Sequence, residues 1–186
     1  MRYTEFGYDR EKAVAYAHRW AYFRDPEYHD FSGLGGDCTN FASQCIFAGA
    51  GVMNYTPTYG WYYVGLDDRA PAWTGVMFLY NFLVNNRGAG PFGREVGIRD
   101  VAPGDIAQLM LEPGGYQHTP VVVSVNGPRA DFETVCVAAH SQDCDCRPLS
   151  SYEALGVRFV RIEGVRAMVP DGQEPPDGAA KEQDAR

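Results

Sequence analysis

The stretch Gly35-Gly36-Asp37-Cys38-Thr39-Asn40-Phe41 decides how the rest of the chain is read. Two glycines let the backbone turn sharply, and the residues from Thr39 to Ala48 then carry Phe41, Ala42, Cys45 and Ile46 at the spacing of one helix face. Cys38 therefore stands at, or just before, the first turn of a helix. Unpaired N–H groups and the positive end of the helix dipole favour a thiolate there, and the same N–H groups can hold an oxyanion. A cysteine at a helix start is also a common buried packing residue, so position alone leaves both readings open. Cys45, on the apolar side of the same helix, belongs to the core.

Toward the N-terminus, Asp9 is a good N-cap for a helix predicted over about Asp9 to Phe23, with Ala13, Ala17, Trp20 and Ala21 on one face. Asp25-Pro26 ends it, because proline cannot continue the hydrogen-bond ladder. Tyr28 to Gly36 reads as an aromatic, glycine-rich loop. Beyond the cysteine helix, Asn54 to Arg69 holds Tyr55, Tyr59, Trp61, Tyr62 and Tyr63, too many aromatics for a plain linker. A third helix is predicted over about Thr74 to Asn86 on Val76, Leu79, Tyr80 and Leu83.

After Gly97 the pattern changes to strands at Asp105–Leu111, His118–Val125, Val135–Ala139 and Val157–Ile162, the first entered through the turn Pro103-Gly104-Asp105. Helices first and an antiparallel sheet afterwards is the α+β arrangement. From about Val169 the aromatics vanish and Pro170, Pro175 and Pro176 appear, so 169–186 is expected to be a disordered tail behind a single domain over 1–168.

A reactive cysteine needs a base. His18 lies within the first predicted helix and His29 in the loop before Cys38, whereas His118 opens a strongly apolar strand, where a polar residue points toward a site more often than in mid-helix. His140 ends the next strand. If the two strands pair as antiparallel neighbours, His140 is brought beside His118 and can fix its tautomer, with Asp143 and Asp145 competing for that role.

The chain has 16 basic and 24 acidic residues among 186, a formal charge of -8, with no basic stripe for nucleic acid or anionic membranes. No apolar run approaches the roughly 20 residues of a membrane span. Met1-Arg2-Tyr3-Thr4-Glu5-Phe6 does not lead into a signal sequence, so the expected location is the cytoplasm. Cys136, His140, Cys144 and Cys146 cluster within eleven residues, yet paired Cys-x2-4-Cys units are missing, and the reading assigns neither metal nor cofactor.

Taken in order, Gly35-Gly36-Asp37-Cys38-Thr39-Asn40-Phe41-Ala42-Ser43-Gln44, Met53-Asn54-Tyr55, Gly60-Trp61-Tyr62-Tyr63, Arg69-Ala70-Pro71-Ala72-Trp73-Thr74, Pro103-Gly104-Asp105-Ile106, His118, and Ala139-His140 with Arg147-Pro148-Leu149 carry a family signature. The sequence resembles the bacterial putative amidase domain family, itself similar to the papain-like CHAP and NlpC-type cysteine hydrolases. The resemblance implies a papain-like α+β fold, with the nucleophile helix packed on an antiparallel sheet. It further implies Cys38 as nucleophile, His118 as base and a polar residue of the next strand, best matched by His140, as orienter.

The expected function is cysteine-dependent hydrolysis of an amide or peptide bond through a thioester. The expected substrate is a small peptide or muropeptide, since the related hydrolases often cut cell-wall peptides. Asp37 and Asn40 beside the nucleophile, with Trp61, Tyr62 and Trp73, are expected to line the substrate cleft. An inactive peptide- or glycan-binding module of the same fold and an acyltransferase are the competing readings. The oligomeric state is not legible in the sequence.

Overall fold

The computed structural model describes residues 2–169. In chain order the elements are β1 (Arg2–Phe6), α1 (Arg10–Trp20), α2 (Cys38–Ala50), β2 (Tyr63–Gly65), β3 (Asp68–Arg69), α3 (Pro71–Thr74), α4 (Val76–Asn85), β4 (Gly90–Val96), β5 (Ile106–Met110), β6 (Val121–Val125), β7 (Val135–Ala139), β8 (Cys144–Pro148) and β9 (Gly156–Val169). Of the tail expected from Val169, that residue itself ends β9 and the remainder lies outside the described residues.

The three predicted helices form where the apolar spacing put them. Asp9 caps α1 by accepting the Lys12 N–H at 3.0 Å, and α2 begins on Cys38 itself. The third prediction divides: Pro71 starts the short α3, and the extended backbone of Gly75 separates it from α4.

Seven strands make one sheet in the order β1-β9-β5-β6-β7-β8, with β4 also pairing β9, and every pairing is antiparallel. The expected order of helices first and strands later needs correction at three places. β1 precedes all helices and pairs with the last residues of β9, from Arg2 opposite Val169 to Phe6 opposite Val165. β4 follows α4 directly, and β8 was not foreseen. The strand expected from His118 begins at Val121, because Pro120 has no N–H to give the ladder. His118 contributes only an isolated bridge to Leu109.

Alternation along the strands divides the apolar side chains between two cores. Ile106, Val121, Val123, Cys136, Ala138, Val160 and Ile162 face α1, α2 and α4. Ala107, Leu109, Val122, Val135, Val137 and Phe159 build the second core on the other face, closed by Val101 and Leu149. Among the described residues no helix is long and apolar enough to cross a membrane.

The contact of α2 with the chain entering α1 is tight at Gly49. The Asp9 N–H donates to the Gly49 carbonyl at 3.0 Å, and a Cβ on Gly49 would stand 2.5 Å from both the Asp9 carbonyl oxygen and the Tyr8 ring. Gly49→Ala is therefore expected to destabilise the fold by about 1–3 kcal/mol, although the same change in an open helix gains about 1 kcal/mol. Urea unfolding decides the sign, and a stabilised variant would show that α1 and α2 can move apart.

Candidate active site

Gly35 and Gly36 both take left-handed backbone angles, φ 98° and 115°, which turns the chain into α2. Cys38 then heads the helix with its side chain 7% exposed. Its sulfur lies 3.9 Å from the Gln117 carbonyl and 3.8 Å from Thr39 Oγ1, with the backbone N–H groups of Thr39 and Thr119 near enough to favour its ionised form. The thiol is thus bracketed by the backbone on either side of His118.

The side chain of His118 is buried, packs against the Tyr152 ring at 5.7 Å between centroids, and leaves Nε2 with no hydrogen-bond partner. No hydrogen bond joins it to Cys38 in this resting arrangement. Burial, with the Arg147 guanidinium as a lesser cause, lowers its pKa to about 4. Burial likewise pushes the Cys38 thiol up, against the N–H groups that lower it. The expectation that the helix start makes Cys38 a resting thiolate is corrected here: desolvation outweighs the helix end, and the ground state is a thiol beside a neutral imidazole.

His140 takes a different place from the one expected. Its Nδ1 meets Asp37 Oδ2 at 2.5 Å, its Nε2 donates to the Trp20 carbonyl at 2.9 Å, and its ring stacks on Phe41 with centroids 4.0 Å apart. Both nitrogens are therefore engaged, and neither is left to orient His118. Because the carbonyl can only accept, Nε2 is the donor to Trp20. The two alternatives are also turned away from His118: Asp143 pairs with Arg24 at 2.9 Å and Asp145 with His18 at 2.7 Å.

Asp37 is fully buried and serves as a hub. Besides His140, it accepts the Phe31 N–H at 2.9 Å and Asn40 Nδ2 at 2.8 Å, with Arg24 Nε at 3.4 Å. Asn40 in turn accepts Trp73 Nε1 at 2.9 Å, and Trp61 Nε1 donates to Ser43 at 3.0 Å. The cleft-lining expectation is corrected for Asp37, Asn40, Trp61 and Trp73, which are buried with their polar atoms satisfied inside the protein. They pack α2 in place. Tyr62 is half-buried and lies against Tyr55, 5.2 Å between ring centroids.

Two polar residues missed in the sequence connect to the thiol through Thr39. Thr119 Oγ1 is 3.2 Å from Thr39 Oγ1, and Gln108 Nε2 is 3.5 Å from Thr119 Oγ1. Gln108 is fully buried within the apolar run Ile106–Met110, and a lone amide in such a run was the available signal. All five cysteines are free thiols; of the residues weighed for zinc, Cys136 and Cys146 share Asn126 Nδ2, at 3.2 and 4.0 Å, while Cys144 meets Tyr152 and His140 binds Asp37. Among the described residues no three His, Cys, Asp or Glu side chains converge as a metal cage. A pocket of about 510 Å³ at the far end of α4, lined by Tyr59, Phe78 and Asn85 among others, touches none of Cys38, His118 or His140.

Comparison with known proteins adds a family to this geometry. The family model described as a putative amidase domain matches residues 7–162. The uncharacterized protein YhbB of Bacillus subtilis (strain 168) is 32% identical over 121 residues, covering 64% of this chain and 38% of that relative. The chain thus spans well under half of that relative's length. No solved structure matches.

Proposed function

Since the chain belongs to the putative amidase domain family, we propose that it hydrolyses amide or peptide bonds with Cys38 as nucleophile and His118 as general base. The observation that carries the reading is the position of the thiol: first residue of α2, with its sulfur against the backbone of Gln117 and Thr119 on either side of a histidine that has an unpartnered nitrogen. In this reading the architecture is papain-like, related to the CHAP and NlpC-type hydrolases. The substrates are peptides of cell-wall origin, muropeptides among them.

The reaction begins from the neutral pair. The imidazole turns toward the sulfur and takes its proton as the thiol attacks the carbonyl carbon. Backbone N–H groups around the head of α2 hold the oxyanion, the amine departs with the proton from His118, and water cleaves the thioester. With His118 titrating at about 4, the base is free over the whole neutral range. Asp37 and His140 hold the head of α2 in place and take no proton from the substrate.

Alkylation by iodoacetamide from about pH 5 to 9, with peptide mapping, tests the pair. The experiment uses a Cys146→Ser background, because Cys146 is exposed and its thiol is lowered, chiefly by hydrogen bonding from Cys136. Cys38 is expected to react faster than Cys45 and Cys144, at a rate level through neutral pH and falling only toward about 4, where His118 titrates. In His118→Ala that plateau is expected to vanish. Cys38 labelling no faster than the other buried thiols, and indifferent to His118, overturns the hydrolase reading and leaves a binding module.

A further inference from the structure

Arg158 is linked to Cys38 through the polar side chains of β5 and its neighbour. It pairs with Gln108 across β9 and β5, and its Nε and Nη2 both donate to Gln108 Oε1, at 2.9 and 2.5 Å. Nη2 also donates to Met77 Sδ at 3.1 Å. The guanidinium carbon lies 3.5 Å from the Tyr80 ring centre and 4.1 Å from that of Tyr116. Tyr116 adjoins Gln117, whose carbonyl contacts the Cys38 sulfur. Gln108, Thr119 and Thr39 make a continuous polar chain from the guanidinium to the thiol, with steps of 3.5, 3.2 and 3.8 Å beyond Gln108.

What the guanidinium lacks is a counter-ion. Among the described residues no carboxylate lies within ion-pair distance of it. Glu95, the nearby acid, is bound by the Tyr80 hydroxyl at 2.7 Å. Among the described residues Nη1 has no hydrogen-bond partner, although the two rings and Gln108 fix the plane in which its N–H groups point. A planar fork held rigid with a free edge is suited to a carboxylate.

We propose that Arg158 is a specificity determinant, its free Nη1 edge holding a carboxylate of the substrate peptide two to three residues from the bond that Cys38 attacks. This assignment rests on the reading of Cys38 and His118 as the reacting pair. The spacing follows from the sheet: β9, β5 and the segment carrying Thr119 are successive neighbours, so Arg158 and Thr119 are about 10 Å apart. Extended peptide advances about 3.3–3.6 Å per residue. Burial also holds the Arg158 guanidinium below its usual range, as for a cation drawn from water without an anion. In a chain of formal charge -8, a guanidinium without an ion-pair partner is a place where an acidic group is welcome.

Bromoacetyl-glycine oligomers of one to three glycines, each as the free acid and as the C-terminal amide, measure this directly by their rates of alkylating Cys38. At one length the acid is expected to react about tenfold faster than its amide. Arg158→Gln should bring that ratio to unity or below. Arg158→Lys, which can still donate to the buried Gln108 oxygen and so protects the fold, should leave an intermediate ratio. A ratio near unity at every length in the native protein, or a preference that survives in Arg158→Gln, overturns the assignment. Iodoacetamide carries no carboxylate and reports on the Cys38–His118 pair alone. His118-dependent labelling with no acid preference therefore defeats only the Arg158 assignment, and His118-independent labelling defeats the reacting pair.

Discussion

Cys38→Ala is expected to lower amide hydrolysis by a factor on the order of 10⁴ or more while leaving the fold standing. The side chain contributes little to stability: the contacts of its sulfur are long, at 3.8 and 3.9 Å, and removing one buried sulfur costs about 1 kcal/mol. In the proposed reaction its contribution is the covalent step itself. Cys45 is fully buried on the far side of α2, and Cys144 is held against Tyr152. Cys38→Ser should be as inactive as the alanine variant. A hydroxyl is far less acidic than a thiol, and an imidazole that titrates at about 4 is too weak a base to activate it. Release of amine from N-acylated peptide amides measures the rate, and mass spectrometry of the native protein should capture the acyl group on Cys38. Hydrolysis that persists in both variants would move the chemistry elsewhere in the molecule.

The largest loss of stability is expected from Asp37→Ala. A single carboxylate there satisfies the Phe31 N–H, the Asn40 amide and His140, with Arg24 close by, all at a fully buried position. Removing it strands each of those donors away from water, at a cost of about 3–5 kcal/mol. Asp37→Asn keeps an acceptor and should lose less. Urea denaturation with an unchanged slope reads the difference, and a double-mutant cycle with His140→Ala isolates the pair. A loss below about 1 kcal/mol would mean that the cluster is no stronger than a surface contact. Because Asp37 also precedes Cys38, the asparagine variant should stay folded yet respond at the head of α2, which the bromoacetyl reagents can detect.

The helices were legible because their apolar residues repeat at helical spacing and their ends carry Asp9, Pro26 and Gly51. β5, β6 and β7 were legible as β-branched runs. β1 and β8 were not: Arg2–Phe6 and Cys144–Pro148 hold too few apolar residues to announce a strand, and both lie at the margins of the sheet. β4 begins Gly-Pro and was paired by its neighbour β9, not by its own propensity. At the site, the head of α2 was readable from Gly35 to Phe41, since a turn feeding a helix leaves a local mark. The partner of His140 was not, because it depends on the end of β7 lying over the last turn of α1, a relation between segments more than a hundred residues apart. The indole N–H groups of Trp61 and Trp73 were ambiguous for the same reason: whether an aromatic faces a cleft or a core depends on which acceptor the fold brings to it.

β9 receives β4 along one edge and β5 and β1 in succession along the other, so three strands wait on one. A ribosome delivers α1, α2 and the other strands of the sheet before Gly156–Val169 emerges. Until then Arg2–Phe6 has no ladder to join, and β4 and β5 each show an unpaired edge to whatever else is in solution. Closing so long a loop is slow, since loop entropy is lost before the contact forms. The helix that Cys38 heads can thus be shaped early, while the described fold is completed by β9.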